Sequence, residues 1–312
     1  MLDISVIIPV YNASEFLEKS VASAMQFEEV KEIILAEDQS TDNSLEICRK
    51  LASQYSKIKL FQHPDQGNHG AAATRNLGIE KSSGTFIAFL DADDYYLPNR
   101  FDAEKKAFND QQIDGVFGAV GIEYLTEKGK QEFQSKFNDV SLTTVNYPAE
   151  GKEVFKGLLG LTSKNFGTFF HLNALTVRKS AIQKNHLKFN EVLRVHQDSD
   201  FIIKLAYHCY LKSGIIDKAT GIRGIHDDNR ITKIIKYSPQ YNERQFLFWN
   251  SLYEWSQKNI SDPDAKQHIS LQKKAFELSV KKGFSKMTTL FGAILKDPKI
   301  LKTKYRFTYT HS

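Results

Sequence analysis

A chain of 312 residues, 41% hydrophobic and 25% charged, has the make-up of an ordinary globular protein and is long enough for two domains. It contains no run of about 18 apolar residues to cross a bilayer, and two distant cysteines, Cys48 and Cys209, give no disulfide or metal framework. The net charge of +5 sits in the tail, where eleven Lys/Arg face three acids from Asp264 onward. The rest carries about −3, and no nucleic-acid partner is expected.

Ile4–Pro9 is an apolar, β-branched run that reads as a strand. Asn12-Ala-Ser-Glu15 has capping-box form ahead of Phe16, Leu17, Val21, Ala24 and Met25 at helical spacing. Glu32–Ala36 reads as a second strand and Gln39–Asn43 as a polar turn. The next helix places Cys48, Leu51, Ala52 and Tyr55 on one face. Ile58–Phe61 is a third strand, Gly70–Ile79 an Ala-rich helix and Thr85–Leu90 a fourth strand. This alternation predicts an α/β fold, a mostly parallel sheet flanked by helices with right-handed crossovers.

Beyond Asp110 the rhythm loosens. Gly115–Tyr124 is strand-like, Lys128–Tyr147 a polar excursion, and Phe166–Arg178 an apolar return to the sheet. Phe201–Tyr210 reads as a helix preceded by Asp198 and Asp200, and Tyr241–Trp255 and Lys266–Ile294 as helices. Three parts are expected: 1–110, 111–235, and a C-terminal helical basic region, 236–312. The opening Met1-Leu-Asp-Ile-Ser lacks the charged region and long apolar core of a signal peptide, so a reducing, cytoplasmic setting is expected.

Each of the first four strands is followed by polar residues: Tyr11-Asn12, Glu37-Asp38, His63 through Asn68, and Asp91-Ala-Asp93. In an open α/β sheet the carboxyl ends of the strands share one rim, so these clusters converge. The fourth strand stops in Asp91, Asp93 and Asp94, acids that repel one another unless a cation joins them. Oxygen ligands suit a hard ion such as Mg²⁺ or Mn²⁺. Solvated loop acids or a helix cap are the alternative. The turn after the first strand, Val10-Tyr-Asn-Ala-Ser-Glu15, has no glycine, and no G-x-x-x-x-G-K-[ST] run occurs. A diphosphate ligand therefore calls for a cation gripped by Asp93, helped by Arg75 or His226.

Four ordered segments carry a resemblance: Ser5-Val-Ile-Ile-Pro-Val-Tyr-Asn12, Glu37-Asp-Gln-Ser-Thr-Asp42, Asn68-His-Gly-Ala-Ala-Ala-Thr-Arg-Asn-Leu-Gly78 and Phe89-Leu-Asp-Ala-Asp-Asp94. Together they resemble the family 2 glycosyltransferases of the GT-A fold, firmly to about residue 110 and more thinly to about 232. The resemblance implies inverting transfer of a sugar from a nucleotide diphosphate donor, usually a UDP-sugar, to a glycan or lipid-linked acceptor. By position it implies that Pro9 and Tyr11 border the base, and that Asp38 accepts the uracil imide N–H. Arg75 then lies near the diphosphate, Asp91 faces the ribose and Asp93 holds Mn²⁺ or Mg²⁺. His226, in Gly221-Ile-Arg-Gly-Ile-His226, completes the metal or diphosphate shell, and Asp94 is read as a cap or supporting residue. On this resemblance the part to residue 110 binds the donor, and 111–235 holds the acceptor and the base.

Val195-His-Gln-Asp198-Ser-Asp-Phe-Ile-Ile-Lys-Leu-Ala206 resembles the family's late Glu-Asp motif, with Asp198 as general base and Asp200 as fallback. Helix capping is the other reading of Asp198. The chain departs from the pattern at Glu37 and Gln197, where Asp and Glu are usual, and at Gln39, where Gly is usual. His63, His69, His171, His196 and His208 receive no metal role. Phe166, Phe169, Phe170 and His171 read as core before an acceptor floor. A loop at Arg223–Ile231 is expected to close over the donor. In the tail, Phe284, Met287, Phe291, Ile294 and Leu295 among Lys281, Lys282, Lys286 and Lys296 predict a basic amphipathic helix. It either lies peripherally on the inner membrane face or packs on the body. Two rivals stand. A nucleotidyltransferase requires the missing glycine-rich loop, and a non-catalytic nucleotide-sugar binder requires no base.

Overall fold

The computed structural model describes residues 2–137, 141–167, 169–227 and 235–303. The chain forms two compact units, one of Met1–Arg194 with Phe201–Thr232, the other of Val195–Asp200 with Lys233–Ser312.

The first unit opens with β1 (Ile4–Val10), α1 (Leu17–Met25), β2 (Val30–Glu37), α2 (Ser44–Gln54), β3 (Ile58–Gln62), α3 (Ala71–Lys81) and β4 (Phe86–Phe89). It continues through β5 (Tyr95–Tyr96), α4 (Asp102–Ala107), β6 (Gly115–Phe117), β7 (Ala119–Tyr124), α5 (Glu127–Phe137), β8 (Leu142–Thr143) and α6 (Lys152–Leu158). Then follow β9 (Leu175–Arg178), α7 (Lys179–Lys184), α8 (Gln197–His208), whose first turn belongs to the second unit, β10 (Leu211–Ser213) and β11 (Ala219–Ile225). A seven-stranded sheet has the order β10-β6-β9-β4-β1-β2-β3, with only β9 antiparallel to its neighbours. A four-stranded sheet has the order β5-β11-β7-β8.

The apolar run of β1 follows from cover on both faces. Val6, Ile8 and Val10 pack with Leu17, Val21 and Ala24 of α1 and with Cys48 and Leu51 of α2. On the other face Ile7 meets α3 at Gly78, where any Cβ would collide with the isoleucine methyl. Cys48 and Cys209 are buried free thiols, and burial pushes both up to about 12.

Several local expectations are corrected. Asn12 is no helix cap: α1 starts at Leu17, and Asn12 takes a φ of +49° while its Oδ1 accepts the Thr41 N–H at 2.8 Å. Tyr55 lies past the end of α2 and is exposed. Gly115–Tyr124 is two strands in two different sheets, parted at Gly118. The excursion from Lys128 contains most of α5 and then β8. The helix expected from Phe201 starts at Gln197 and takes in both Asp198 and Asp200. Phe166–Arg178 does return to the sheet, as β9, and Phe166 and Phe170 are core residues, Phe170 stacking on Phe117 at 4.0 Å.

In the second unit α9 (Pro239–Asn259) and α10 (Pro263–Val280) each begin with a Ser or Asp cap followed by proline, at Ser238 and Asp262. The helix expected over Lys266–Ile294 breaks before Gly283, whose φ is +56°, and resumes as α11 (Gly283–Lys296). Ala275, Leu278, Ala293 and Ile300 form a small core with Leu271, Leu290 and Ile294 against it. Among the described residues, no helix is long and apolar enough to cross a membrane.

Candidate functional site

Strand order reverses at β1, with β2 and β3 to one side and β4 to the other. The carboxyl ends of β1 and β4 therefore flank the crevice in which such sheets bind ligands. Past β1, Tyr11 stands half exposed. At the end of β2, Glu37 is buried and accepts the Ser40 N–H at 2.5 Å and the Gln62 side chain at 2.7 Å. Asp38 is buried too. One of its oxygens accepts the His69 N–H at 2.7 Å and the other the Gly70 N–H at 2.8 Å. Asn68 completes the clasp, donating from its side chain to the Asp38 carbonyl at 2.8 Å and from its N–H to Gln39 Oε1 at 3.0 Å. Gln39 holds φ at +59°, the region glycine favours. Asp38 thus fixes the loop before α3 instead of capping α2.

The acidic turn past β4 separates its three carboxylates by their partners. Asp91 Oδ1 meets Arg75 Nη2 at 2.6 Å, and the nearly buried guanidinium lies over the Phe189 ring at 5.6 Å. Asp93 Oδ2 lies 3.2 Å from His226 Nε2, whose ring packs on Phe16 at 4.9 Å. Asp94 is buried, accepting the Gly224 N–H at 2.9 Å and the Asn173 side-chain amide. The same Asn173 accepts the Asp91 N–H at 3.1 Å, so one buried side chain spans the turn. Arg100 holds Asn173 in turn, donating to its carbonyl at 2.8 Å and pairing with buried Glu104.

These settings divide the charge. Burial pushes the Asp94 carboxyl well above the ordinary carboxylate value, and the Asp93 and Asp91 charges push it the same way. Burial also acts upward on Asp91, but Arg75, His171 and Arg223 outweigh it and hold Asp91 below its ordinary value. Asp91 is thus held toward its ionised form and Asp94 toward its protonated one.

The donors fit a divalent ion. Adjacent ligands of an octahedral ion with bonds of about 2.1 Å stand ~3 Å apart, and Asp93 Oδ2 and His226 Nε2 meet that spacing at 3.2 Å. A carboxylate with an imidazole leans toward Mn²⁺ over Mg²⁺. A second trio, Asp91, Asp94 and His171, offers ligand atoms all within 4.8 Å of one another. His171, set aside on sequence, therefore belongs to this neighbourhood. So do Asn173 and Arg100, which the sequence reading did not place here, and Arg223, which it placed only in the closing loop. The available signal was a pair of polar residues, His171 and Asn173, inside an apolar run.

The structure thus pairs Arg75 of α3 with Asp91, and Asp93 with His226, which follows β11. Asp198 lies in the first turn of α8, where its Oδ1 accepts the Ser199 N–H at 2.9 Å. Asp200 is fully buried and accepts the Ser251 hydroxyl of α9 at 2.7 Å, an anchoring arrangement within the second unit. Of the loop expected to close, Arg223–Ile225 forms the end of β11, and residues 228–231 lie outside the described residues.

Asn173→Ala is expected to destabilise the chain by about 2–3 kcal/mol, because it leaves the Asp91 N–H and the Asp94 carboxyl without their buried partner. Urea melts measure this, and a midpoint unchanged from wild type would deny Asn173 its spanning role.

Residues 5–173 match the family model described as glycosyl transferase family 2, more than half of the chain. The chain belongs to glycosyl transferase family 2. This family 2 chain is 32% identical over 207 residues to the cholesterol galactosyltransferase of Borreliella burgdorferi, covering 65% of this chain and 54% of that protein. It is 29% identical over 227 residues to the GalNAc(5)-diNAcBac-PP-undecaprenol beta-1,3-glucosyltransferase of Campylobacter jejuni, covering 68% and 72%. The chain spans about half the length of several curated relatives it matches. Among solved structures, S. aureus TarS 1-349 in complex with UDP-GlcNAc superposes with a TM-score of 0.61 at 19% identity, covering 96% of this chain and 81% of that one. The fold is GT-A.

Proposed function

We propose that this chain is an inverting, metal-dependent glycosyltransferase that moves a sugar from a UDP-sugar to a hydroxyl of a lipid-linked or glycan acceptor. The observation that carries the reading is the Asp93–His226 contact beside the Arg75–Asp91 pair, at the switch point of a family 2 sheet. UDP-GlcNAc in the TarS complex favours a uridine donor, and the cholesterol and undecaprenol in the two relatives' names favour a lipid-linked acceptor.

In this reading the part to residue 110 binds the donor, and 111–235 holds the acceptor and supplies the base. Pro9 and Tyr11 border the base, and Asp38 keeps a lone pair on each oxygen for an imide N–H. Asp91, kept ionised beside Arg75, accepts from the ribose hydroxyls. Arg75 adds its charge near the diphosphate. Asp93 and His226 would hold a divalent ion, Mn²⁺ or Mg²⁺, which when bound would supply positive charge to stabilise the departing diphosphate. Asp198 takes the acceptor hydroxyl's proton at its carboxylate as that oxygen attacks the anomeric carbon. Attack on the face opposite the leaving group inverts the centre.

A panel of nucleotide-sugars tests the reading. UDP-sugars with Mn²⁺ are expected to raise the melting temperature by about 5 °C at ~100 times Kd, and EDTA to remove the shift. Equal stabilisation with and without EDTA, or none from any nucleotide-sugar, would overturn it.

A further inference from the structure

Helix α11 has two apolar faces, and among the described residues its neighbours cover only one. Ala293, with Leu290 and Ile294, packs on Ala275, Leu278 and Ile300. Phe284, Met287, Phe291 and Leu295 follow the spacing i, i+3, i+7, i+11, which lines them up on one side of a helix. They stand 84%, 60%, 68% and 83% exposed. Single exposed hydrophobics are normal on a protein surface, but four large ones in one stripe are not. Ile294, grouped with this stripe on sequence, instead serves the packed face.

Charge surrounds the stripe. Lys282 and Lys296 stand exposed at its two ends, and Lys299 and Lys302 stand exposed just beyond it. The segment 281–303 holds one acid, Asp297, whose carboxylate already accepts from the Lys299 N–H at 3.0 Å and the Gln267 side chain at 3.0 Å. Exposed Leu301 extends the apolar surface past the helix end.

We infer that this stripe is the seat of an anionic lipid surface, with the two phenylalanines, Met287 and Leu295 at the acyl boundary and the lysines among the lipid phosphates. An apolar face flanked by lysines is the pattern that lies in a bilayer interface, where burial and attraction to anionic headgroups add. The lysine stems run along the apolar boundary while their ammonium groups stay in the headgroup layer. A second copy of the chain is the competing occupant, and charge argues against it. A two-fold contact through this face sets Lys282, Lys296 and Lys299 against a patch of the same sign. A layer of lipid phosphates presents the opposite sign along the whole helix.

The test uses the full chain, without nucleotide-sugar, and co-sedimentation with two kinds of vesicle. Phosphatidylcholine vesicles containing phosphatidylglycerol are expected to bind it, more weakly as salt rises, and pure phosphatidylcholine vesicles are not. Phe284→Ser with Phe291→Ser is expected to lower the partition coefficient at least roughly tenfold. Lys282→Gln, Lys296→Gln and Lys299→Gln are expected to lower it by about fivefold for each charge removed. All these side chains are exposed, so melting temperatures should match wild type. Wild-type chain that ignores the anionic vesicles overturns the inference, as does undiminished binding by the double serine variant. A chain that ignores vesicles but is a dimer, broken by the same serines, assigns the face to a second copy and also overturns it. Since no donor is present, failure here leaves the transferase reading standing, and a failed donor panel leaves this one standing.

Discussion

Asp93→Ala is expected to lower kcat/KM for sugar transfer by roughly a thousandfold, ~4 kcal/mol of transition-state stabilisation, and to weaken the Mn²⁺ dependence of UDP-sugar binding. The size follows from how the three acids are engaged. Asp91 is matched by Arg75, and Asp94 is buried between the Gly224 N–H and Asn173. Asp93 is the most open of them, its side chain 31% exposed against 24% for Asp91, and it faces an imidazole in place of a fixed cation. Removing it takes the negative charge from the donor pair and leaves only the His226 imidazole. His226→Ala removes the ring and keeps the charge, so its effect should be smaller. Replacing Asp94 should act first on folding, since that carboxyl ties β11 to the acidic turn. Steady-state rates across a Mn²⁺ titration, with UDP-sugar affinity by calorimetry, separate the cases. Unaltered affinity and an unaltered Mn²⁺ requirement in Asp93→Ala would move the ion to the Asp91, Asp94 and His171 trio.

What could be read beforehand depended on whether the information was local. β1 and β4 were legible because strands covered on both faces are almost wholly apolar runs, and each ends where polar residues resume. The place of Asp91 and Asp93 was legible because polar residues that follow a strand fall on the carboxyl rim of the sheet, whereas Arg75, on α3, and His226, past β11 of the other sheet, were placed by the family resemblance. The assignment of roles among the acids was not legible. It is set by partners distant in the chain, such as Asn173, 79 residues from Asp94, and by Arg100, which supports Asn173 from beneath. Local patterns misled where a tertiary bond was stronger, as at Asn12, whose side chain binds Thr41 instead of capping α1. Gly115–Tyr124 looked like one strand because hydrophobic periodicity does not record which sheet a strand joins. In α11 the apolar positions were visible, but which of them α10 covers was decided only by packing.

Asp198→Asn is expected to leave donor affinity within about twofold of wild type while lowering kcat by about 10²–10⁴, the range for removing a positioned general base. Asparagine keeps the shape and serves the start of a helix nearly as well as aspartate, so the fold should hold. The lost favourable charge at the helix N-terminus costs only about 0.3–1 kcal/mol. Turnover and stability therefore come apart at this residue. At Asp200 they should not. Its buried carboxylate accepts from Ser251, and Asp200→Ala should unfold at lower urea along with any loss of rate. A binder without catalysis has no turnover to lose and would respond to neither change in rate. A nucleotidyltransferase would need no acceptor base on α8, so Asp198→Asn would spare its chemistry. Wild-type rates in Asp198→Asn would thus exclude the α8 carboxylate as the base, whereas intact donor binding with lost transfer ties proton removal to this one side chain.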